Sequence, residues 1–301
     1  MKYEVCCAFR HAFNNHRGYA LISELSRLGI DENCENKLRK LKNILSETRG
    51  CAVAYSGGVD STLVLAVARE VLGERCLAVL ATSSTYPKRE YEHAVRWLKD
   101  SGIPYVVIES EELDIPEFID NPPDRCYYCK RELFTKVWQQ AKEHGLPCVA
   151  DGTNAGDLND VRPGLRAARE LKVISPLKEA GLFKEEIRLI SRTIYNLPTA
   201  DKPPMACMSS RFPYGSRITR EKLRQVETIE NMLYEQGFRV FRARHHGNIL
   251  RLELGLDELH LALRPHTRQT IVELAKQQGF VYVALDLEGF RSGSMNEASN
   301  R

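Results

Sequence analysis

Short apolar runs alternate with segments of helical periodicity through the first half of the chain. The apolar runs are predicted to be buried strands, at Cys51–Tyr55, Cys76–Ala81, Tyr105–Ile108 and Cys148–Ala150. The periodic segments are predicted to be helices, at Lys37–Leu45, Thr62–Leu72, Pro87–Ser101 and Arg131–His144. Strands and helices that alternate at this spacing predict an α/β fold, in which helices cover both faces of a mostly parallel sheet.

The pattern changes near Asn196. Residues 196–215 contain four prolines and no clean period, which predicts a linker or an active-site loop. Beyond this segment, helices are predicted at Arg220–Gln236 and Thr267–Gln278, and strands at Arg239–His245, Ile249–Leu254 and Val281–Leu285. We therefore divide the chain into an N-terminal extension (1–36), an α/β domain (37–198) and a smaller C-terminal α+β domain (199–301).

Composition narrows the class of protein. No apolar run approaches the ~20 residues that a membrane-spanning helix needs, and residues 1–15 lack the apolar core of a secretion signal. The nine cysteines are an odd number, so we expect a reducing cytoplasm rather than a disulfide framework. The net charge of +3 is too small to indicate nucleic-acid binding by itself. From residue 208 onward there are 14 Lys and Arg residues against 11 Asp and Glu residues, and 12 of the 14 are arginine, which suits phosphate and carboxylate binding.

A glycine-containing segment, Ser56–Thr62, joins the first predicted strand to the next predicted helix. Its two glycines let the backbone approach a phosphate closely, and the helix N-terminus offers unpaired N–H groups and a partial positive charge. Its hydroxyl side chains add donors, and Asp60 can cap the helix or hold Mg²⁺. The Gly-Lys-Ser/Thr ending of a Walker A loop is absent. The placement therefore predicts a phosphate loop of another kind.

Three cysteines form a second constellation. Cys126 and Cys129 make a Cys-x-x-Cys pair whose basic neighbours are expected to favour thiolate, and Cys207 lies far downstream in the proline-rich segment. Both segments are expected near the mouth of the sheet, where α/β ligand sites form. On spacing alone, several interpretations are open. A structural zinc site needs a fourth ligand, such as His245 or His246. A redox pair would not need Cys207, and three thiolates can hold a [4Fe–4S] cluster with one open iron.

The motifs resemble known families. Ser56–Thr62 resembles the SGGxDS signature of the PP-loop ATP pyrophosphatases, which cleave ATP between the α- and β-phosphates. From about Leu38 to Asn296 the chain is similar to the LarE family, the ATP-dependent sulfur transferases of nickel-pincer cofactor biosynthesis. The segments that carry this second resemblance are Ser56–Thr62, Asn121–Lys130, Asp151–Asn154, Asp160–Gly164, Cys207–Gly215, Arg242–Arg244 and Gly289–Gly293.

The resemblance implies a reaction and its cofactors. ATP and Mg²⁺ would activate a carboxylate of pyridinium-3,5-biscarboxylic acid mononucleotide as an acyl-adenylate, and a sulfur nucleophile would displace AMP to leave a thiocarboxylate. Some family members sacrifice the sulfur of the downstream cysteine. Others carry all three cysteines, as this chain does, and are thought to hold a [4Fe–4S] cluster whose extra sulfide is donated. The resemblance also implies a hexameric homo-oligomer with a small-molecule substrate, and neither a nucleic acid nor a membrane as partner.

The resemblance assigns roles residue by residue. The pyrophosphate portion of ATP would be held by Ser56, Gly57, Gly58, Asp60, Ser61 and Thr62. The catalytic residues and cluster ligands would be Cys126, Cys129 and Cys207. Mg²⁺ would be held by Asp60 and Asp157, although Asp157 is equally well explained as a turn residue after Gly156. The substrate would be bound by Arg211, Arg242 and Arg244, with the acidic residues Glu230 and Glu253 nearby.

Rival functions need other features. A PP-loop tRNA thiolase also combines such a loop with three cysteines, but it needs a basic surface for tRNA. An amide-forming synthetase such as NAD synthetase needs no cysteine trio. A zinc-stapled nucleotide-binding module without catalytic activity would contain zinc without iron or labile sulfide.

Overall fold

The computed structural model describes residues 30–110, 112–159, 163–204, 206–291 and 293–295. Its first sheet has four parallel strands in the order β3-β2-β1-β4. These strands are β1 (Cys51–Tyr55), β2 (Cys76–Thr82), β3 (Tyr105–Glu109) and β4 (Cys148–Ala150). The predicted strands thus have the same starting residues, and their parallel pairing confirms the predicted class of sheet.

Helices cover both faces of this sheet, as predicted. One face packs against α1 (Glu32–Glu47), α2 (Val59–Leu72), α3 (Lys88–Ser101), α7 (Pro176–Ala180) and α8 (Lys184–Thr193). The other face packs against α5 (Arg125–Glu143) and α6 (Pro163–Glu170). A one-turn helix, α4 (Pro116–Ile119), precedes α5. Parallel strands buried on both faces need near-continuous apolar runs, which is why the sequence pattern located them well.

The second sheet has three strands in the order β5-β6-β7 and belongs to the C-terminal unit. Strands β5 (Phe241–His246) and β6 (Ile249–Leu254) are antiparallel, and β7 (Tyr282–Leu285) lies parallel to β6. The sheet packs against α9 (Arg220–Glu235) and α11 (Pro265–Gln277), with the short helix α10 (Leu259–Ala262) before α11. This unit is the predicted smaller α+β unit and has its own apolar core.

The helix ends differ from prediction where polar residues hide the periodicity. Helix α1 begins at Glu32 rather than Lys37, because Asp31 caps it by accepting a 2.7 Å hydrogen bond from the Cys34 N–H. Ile30 and Cys34 are buried in the core, so the end of the predicted extension packs with the α/β unit. The domain boundaries at 36 and 198 otherwise remain predictions, and the rest of the extension lies outside the described residues.

Helix α5 begins at Arg125, six residues before the predicted start at Arg131. Cys126 and Cys129 therefore lie on its first two turns rather than in a loop. Helices α6, α7 and α8 were not predicted, because helices of 8, 5 and 10 residues carry too few turns for a clear apolar period. In the described part of the chain, no helix is both long and apolar enough to cross a membrane.

Candidate active site

The phosphate loop joins the end of β1 to the start of α2. Gly57 has a φ of 66°, and a Cβ there would come within 2.9 Å of the Ala94 Cβ, so the loop requires glycine. Gly58 is the N-cap of α2 and supplies no side-chain hydrogen bond. The first N–H groups of the helix therefore have no side-chain cap, which is the condition for anion binding at a helix N-terminus.

The hydroxyl groups of the loop are used mainly inside it. The Thr62 hydroxyl donates to the Gly58 carbonyl over 2.7 Å, and the Ser61 hydroxyl lies 3.3 Å from the same oxygen. The Ser61 Oγ also accepts from the Ser56 N–H at 3.2 Å. Both Ser61 and Thr62 are buried, whereas Ser56 is exposed. The Ser56 hydroxyl is therefore the one best placed to donate to a phosphate, whereas the hydroxyls of Ser61 and Thr62 stabilise the loop.

Gly152, in the segment after β4, contacts the start of α2. A Cβ at Gly152 would come within 2.8 Å of the Ser61 backbone nitrogen, a distance that no side chain tolerates. The neighbouring Asp151 is buried and accepts hydrogen bonds from the hydroxyls of Thr153 and Ser175, at 2.7 and 2.8 Å. This segment therefore closes one side of the phosphate loop.

Asp60 fits the role of a Mg²⁺ ligand. Its Oδ2 is bound by the Lys184 ammonium, whereas its Oδ1 is buried and lacks a hydrogen-bond partner. Burial raises the pKa of the Asp60 carboxyl; Lys184 opposes this rise and Asp157 adds to it. Asp157 thus lies in the electrostatic neighbourhood of Asp60, and its Oδ2 accepts the Asn154 N–H at 3.0 Å, as expected of a turn residue. Both interpretations of Asp157 are compatible with this geometry.

Two basic residues that sequence reasoning missed reach the phosphate loop. Lys184, at the start of α8, pairs with Asp60. Lys202 donates to the Gly57 carbonyl over 2.9 Å and forms an ion pair with the buried Glu90 at 2.5 Å. The signal for both was weak, since each is a single lysine with no recognisable motif around it. Together they place two positive charges beside the helix N-terminus.

Lys202 is itself fixed by α8. Arg188 donates to the carbonyls of Ala200 and Lys202, at 2.5 and 2.7 Å. The backbone of residues 199–204 is therefore held between α8 and the phosphate loop. This same stretch leads directly into the segment that carries Cys207.

Three arginines donate hydrogen bonds to carbonyl oxygens of residues 204 and 206–210, which we call the sulfur loop. Arg242 donates to Pro204 over 2.7 Å, and Arg244 donates to Ser210 over 2.9 Å. Arg211 donates to Ala206 and Cys207, at 2.8 and 3.1 Å. The three arginines assigned to the substrate thus bind the loop that presents Cys207.

Two carboxylates neutralise two of these arginines. Arg211 makes a bidentate pair with Glu230, at 2.9 and 2.8 Å, and Arg244 pairs with Glu253 at 2.6 Å. All four residues are buried, with exposed fractions of 5% or less. The guanidinium of Arg211 keeps the pKa of Glu230 below its usual range, against the effect of burial. This burial favours a positioning role over direct substrate contact for these four residues.

Arg242 differs from the other two arginines. It is only half-buried, it stacks on the Phe290 ring at 4.8 Å, and no ion pair with a carboxylate is seen for it among the described residues. Burial lowers the pKa of its guanidinium to about 10, and the charges of Arg211 and Arg244 contribute to this decrease. An anionic ligand would relieve that electrostatic cost, so Arg242 is the best-placed arginine for binding a phosphate or carboxylate.

Thr85 links the segment that carries Cys207 to Glu112, which in turn binds Cys129. The Met208 N–H donates to the Thr85 carbonyl over 2.8 Å, while the Thr85 hydroxyl is hydrogen-bonded to Glu112. The other oxygen of Glu112 accepts from the Cys129 thiol at 2.9 Å. Glu112 is buried and was missed by sequence reasoning, because one acid in a loop has no distinctive pattern.

The expectation that basic neighbours favour thiolate is wrong for Cys129 in this conformation. Burial raises the pKa of its thiol well above the usual value, and the charges of Glu112 and Cys207 raise it further. Lys130 opposes this shift only weakly, and Arg125 points its guanidinium over the Tyr214 ring at 5.0 Å. Cys126 and Cys207 are both exposed.

The cysteine segments are joined by Asn121, which has a φ of 54° and is fully buried. Its side-chain amide donates to the Pro213 carbonyl over 2.7 Å, and its own carbonyl accepts the Gly215 N–H at 2.9 Å. The three cysteines thus share one region. Even so, the described residues contain no group of three or more His, Cys, Asp or Glu side chains arranged to hold a metal. His245 is a core residue between the Phe212 and Phe280 rings, so it offers no zinc ligand.

Comparison with known proteins identifies the family. The family model for NAD synthase matches residues 33–119, which include the phosphate loop but neither cysteine segment. An uncharacterized protein of Synechocystis sp. is 40% identical over 262 residues, or 87% of this chain and 97% of the relative. The pyridinium-3,5-bisthiocarboxylic acid mononucleotide synthase of Lactiplantibacillus plantarum, a LarE protein, is 35% identical over 256 residues, or 84% of this chain and 91% of that enzyme. This chain belongs to the LarE family.

Membership confirms two of the predictions. The LarE-family chain is an ATP-using enzyme built on a PP-loop domain. An uncharacterized protein of Methanocaldococcus jannaschii, 30% identical over 260 residues, covers 85% of the chain and extends the similarity to an archaeon. In all three relatives the match spans more than nine-tenths of their own length.

We predict that Glu230→Gln destabilises the LarE-family chain by about 3–5 kcal/mol, because it leaves the buried Arg211 charge without its counter-ion. Glu235→Gln, on an exposed position of the same helix, should change stability by less than about 0.5 kcal/mol. Chemical denaturation measures both values.

The effect of Glu230→Gln should depend on pH. Because the folded pKa of Glu230 lies below the reference value of 4.5, the ion pair stabilises the fold fully above that pH and loses its contribution as pH falls through the folded pKa. The difference between wild type and Glu230→Gln should therefore shrink below about pH 4.5. A difference that is equally large at pH 7 and pH 3, or absent at pH 7, would contradict the assignment.

Proposed function

We propose that this enzyme adenylates a carboxylate of pyridinium-3,5-biscarboxylic acid mononucleotide and converts it to a thiocarboxylate, in the biosynthesis of the nickel-pincer cofactor. The Lactiplantibacillus relative is named as the synthase of pyridinium-3,5-bisthiocarboxylic acid mononucleotide, the thiolated product of such a reaction, which supports this substrate. The geometry that carries the proposal is the contact between the two loops, since Lys202 ties the backbone just before Cys207 to the phosphate loop. A carboxylate activated at one loop would therefore lie beside a sulfur held on the other.

The first step forms the acyl-adenylate. A substrate carboxylate oxygen attacks the α-phosphorus of ATP, the bond to the β-phosphate bridging oxygen breaks, and pyrophosphate leaves. The N–H groups at the start of α2 and the ammonium groups of Lys184 and Lys202 would stabilise the charge of the leaving pyrophosphate. Asp60 would hold Mg²⁺, and Asp157 is a second candidate ligand. When bound, Mg²⁺ would neutralise phosphate charge.

The second step transfers sulfur. A sulfur nucleophile bonds to the acyl carbon, the carbon–oxygen bond to AMP breaks, and AMP leaves with the electron pair. Cys207 is the exposed cysteine on the sulfur loop. Hydrogen bonds from Arg211 and Arg244 to carbonyl oxygens of this loop fix its backbone. This arrangement holds the sulfur at a defined position, which is the main contribution that a protein makes to such a reaction.

The site arginines then divide into two roles. Arg242 would bind the phosphate or a carboxylate of the pyridinium nucleotide, because it has no carboxylate counter-ion in the described structure. Arg211 and Arg244 would act as positioning residues, with Glu230 and Glu253 as their counter-ions. This division refines the original expectation that all five residues contact the substrate.

We retain Cys126, Cys129 and Cys207 as proposed ligands of a [4Fe–4S] cluster. Their common region supports the proposal, although the thiol of Cys129 is directed at Glu112 rather than at the other two sulfurs. Cluster assembly would therefore require that this hydrogen bond break. We also expect a cytoplasmic homo-oligomer, a hexamer by family resemblance, that does not bind nucleic acid.

We predict that Cys207→Ser separates the two half-reactions. With ATP, Mg²⁺ and the pyridinium dicarboxylate, the variant should still release pyrophosphate but form no thiocarboxylate, because it loses a thiolate needed to hold the sulfur donor and leaves the phosphate loop unchanged. Asp60→Asn should reduce both products by at least about tenfold, the loss expected for removal of one charge-stabilising group. Cys148→Ser, a partly exposed cysteine outside the site, serves as the matched control.

Pyrophosphate assay and mass spectrometry of the nucleotide products measure the outcomes. Thiocarboxylate formation by Cys207→Ser would contradict the role of Cys207. Pyrophosphate release by the wild type without any thiolated product would contradict the substrate, while leaving ATP pyrophosphatase activity established.

We further predict that anaerobic reconstitution with iron and sulfide loads one [4Fe–4S] cluster per chain. Cys126→Ser, Cys129→Ser and Cys207→Ser should each abolish the bound iron and labile sulfide, because three thiolates are needed to hold the cluster. Cys148→Ser should retain them. Zinc bound without iron or labile sulfide, or cluster loading that survives these substitutions, would overturn the assignment.

A further inference from the structure

Three cysteines stand side by side at the amino ends of the first sheet. Cys76 begins β2, Cys51 begins β1 and Cys148 begins β4. The strand register makes Cys51 the direct partner of Cys76 on one side and of Cys148 on the other. The phosphate loop follows Tyr55 at the carboxyl end of β1, so this row of thiols lies at the opposite edge of the sheet from the active site.

Solvent exposure along this row increases toward Cys148. Cys51 and Cys76 are fully buried, and all three thiols are free. Cys148 lies on the edge strand and lines an open groove of about 1000 Å³ between the second half of α5 and residues 170–174. Trp138, Lys142 and Lys172 line the same groove. Cys148 is thus partly exposed at the groove, whereas Cys51 is fully buried behind it.

Cys51 and Cys148 are neighbours across β1 and β4. The interaction between their side chains raises the pKa of Cys51 and lowers that of Cys148. Burial and the charge of Glu179 oppose the decrease at Cys148. Neighbouring parallel strands lie about 4.8 Å apart, which is within the range of about 4.4–6.8 Å between the Cα atoms of disulfide-bonded cysteines. The pair therefore combines one partly exposed thiol with one buried thiol, at a strand spacing that a disulfide can bridge.

We propose that Cys148 and Cys51 form a vicinal dithiol that reacts with small disulfides entering the groove. The Cys148 thiolate attacks one sulfur of the disulfide, forming a mixed disulfide and releasing a thiolate. Cys51 then attacks the Cys148 sulfur, forming the Cys51–Cys148 bond and releasing the second thiolate, which takes up the Cys51 proton. The protein loses two electrons and two protons, and one small disulfide becomes two thiols.

This site is independent of the proposed sulfur transfer. It uses none of the cysteines assigned to the active site. It also lies at the opposite edge of the sheet from the phosphate loop. Cys76, which is buried behind Cys51 and has a pKa raised to about 12 by burial, has no access to the groove and takes no part.

The test uses the full chain, reduced and then freed of reductant. Native protein is incubated with oxidised glutathione, remaining thiols are blocked with N-ethylmaleimide, and peptides are mapped by mass spectrometry. We expect a Cys51–Cys148 cross-linked peptide, lighter by two hydrogen atoms than the pair of reduced peptides. Cys51→Ala should instead carry glutathione on Cys148, Cys148→Ser should leave Cys51 a free thiol, and Cys76→Ala should still form the cross-link.

Two results would overturn the proposal. In one, Cys148 of the wild type remains a free thiol while the exposed Cys126 and Cys207 are modified. In the other, Cys148 of the wild type accumulates glutathione without forming a bond to Cys51. Both results are read from the wild-type protein, so the proposal stays falsifiable if Cys51→Ala fails to fold.

Discussion

The carbonyl oxygens of the segment before and around Cys207 are held by cationic side chains, and the rest of the site depends on this interaction. Arg188 binds Ala200 and Lys202 from the first unit, while the three arginines of the C-terminal unit bind the sulfur loop. A proline-rich segment cannot satisfy its carbonyls with a regular ladder, so charged donors take the place of backbone N–H groups. Burying those donors requires counter-ions, which explains why Glu230 and Glu253 lie beneath the loop.

This constraint couples the ATP site to the sulfur site. Lys202 contacts the Gly57 carbonyl and Glu90, and its own backbone is held by Arg188. A phosphate that attracts the Lys202 ammonium would compete with these contacts and act on the backbone that leads to Cys207. In the proposed function, adenylation and sulfur delivery would be performed by loops that share one support rather than by two separate sites.

The sequence predicted the parts of this arrangement that rest on local patterns. Buried parallel strands give continuous apolar runs, and Ser56–Thr62 has a distinctive spacing, so the first sheet and phosphate loop were placed correctly. Lys184, Lys202 and Glu112 were missed because their roles arise from contacts across 17 to 145 residues of sequence. Arg211, Arg244, Glu230 and Glu253 were predicted as site residues from the family resemblance, but not as partners of one another. Their mutual pairing, which only the tertiary structure shows, turns them from ligand-binding candidates into supports for Cys207.

Hydrogen–deuterium exchange with a non-hydrolysable ATP analogue tests the coupling of the two loops most directly. In the wild type, the analogue should slow exchange of the amides in residues 56–62 and also in residues 206–211. In Lys202→Ala, protection of residues 56–62 should remain and protection of residues 206–211 should be lost. Exposed Lys99→Ala should behave like the wild type. Protection confined to residues 56–62 in the wild type, or unchanged at both loops in Lys202→Ala, would contradict the account.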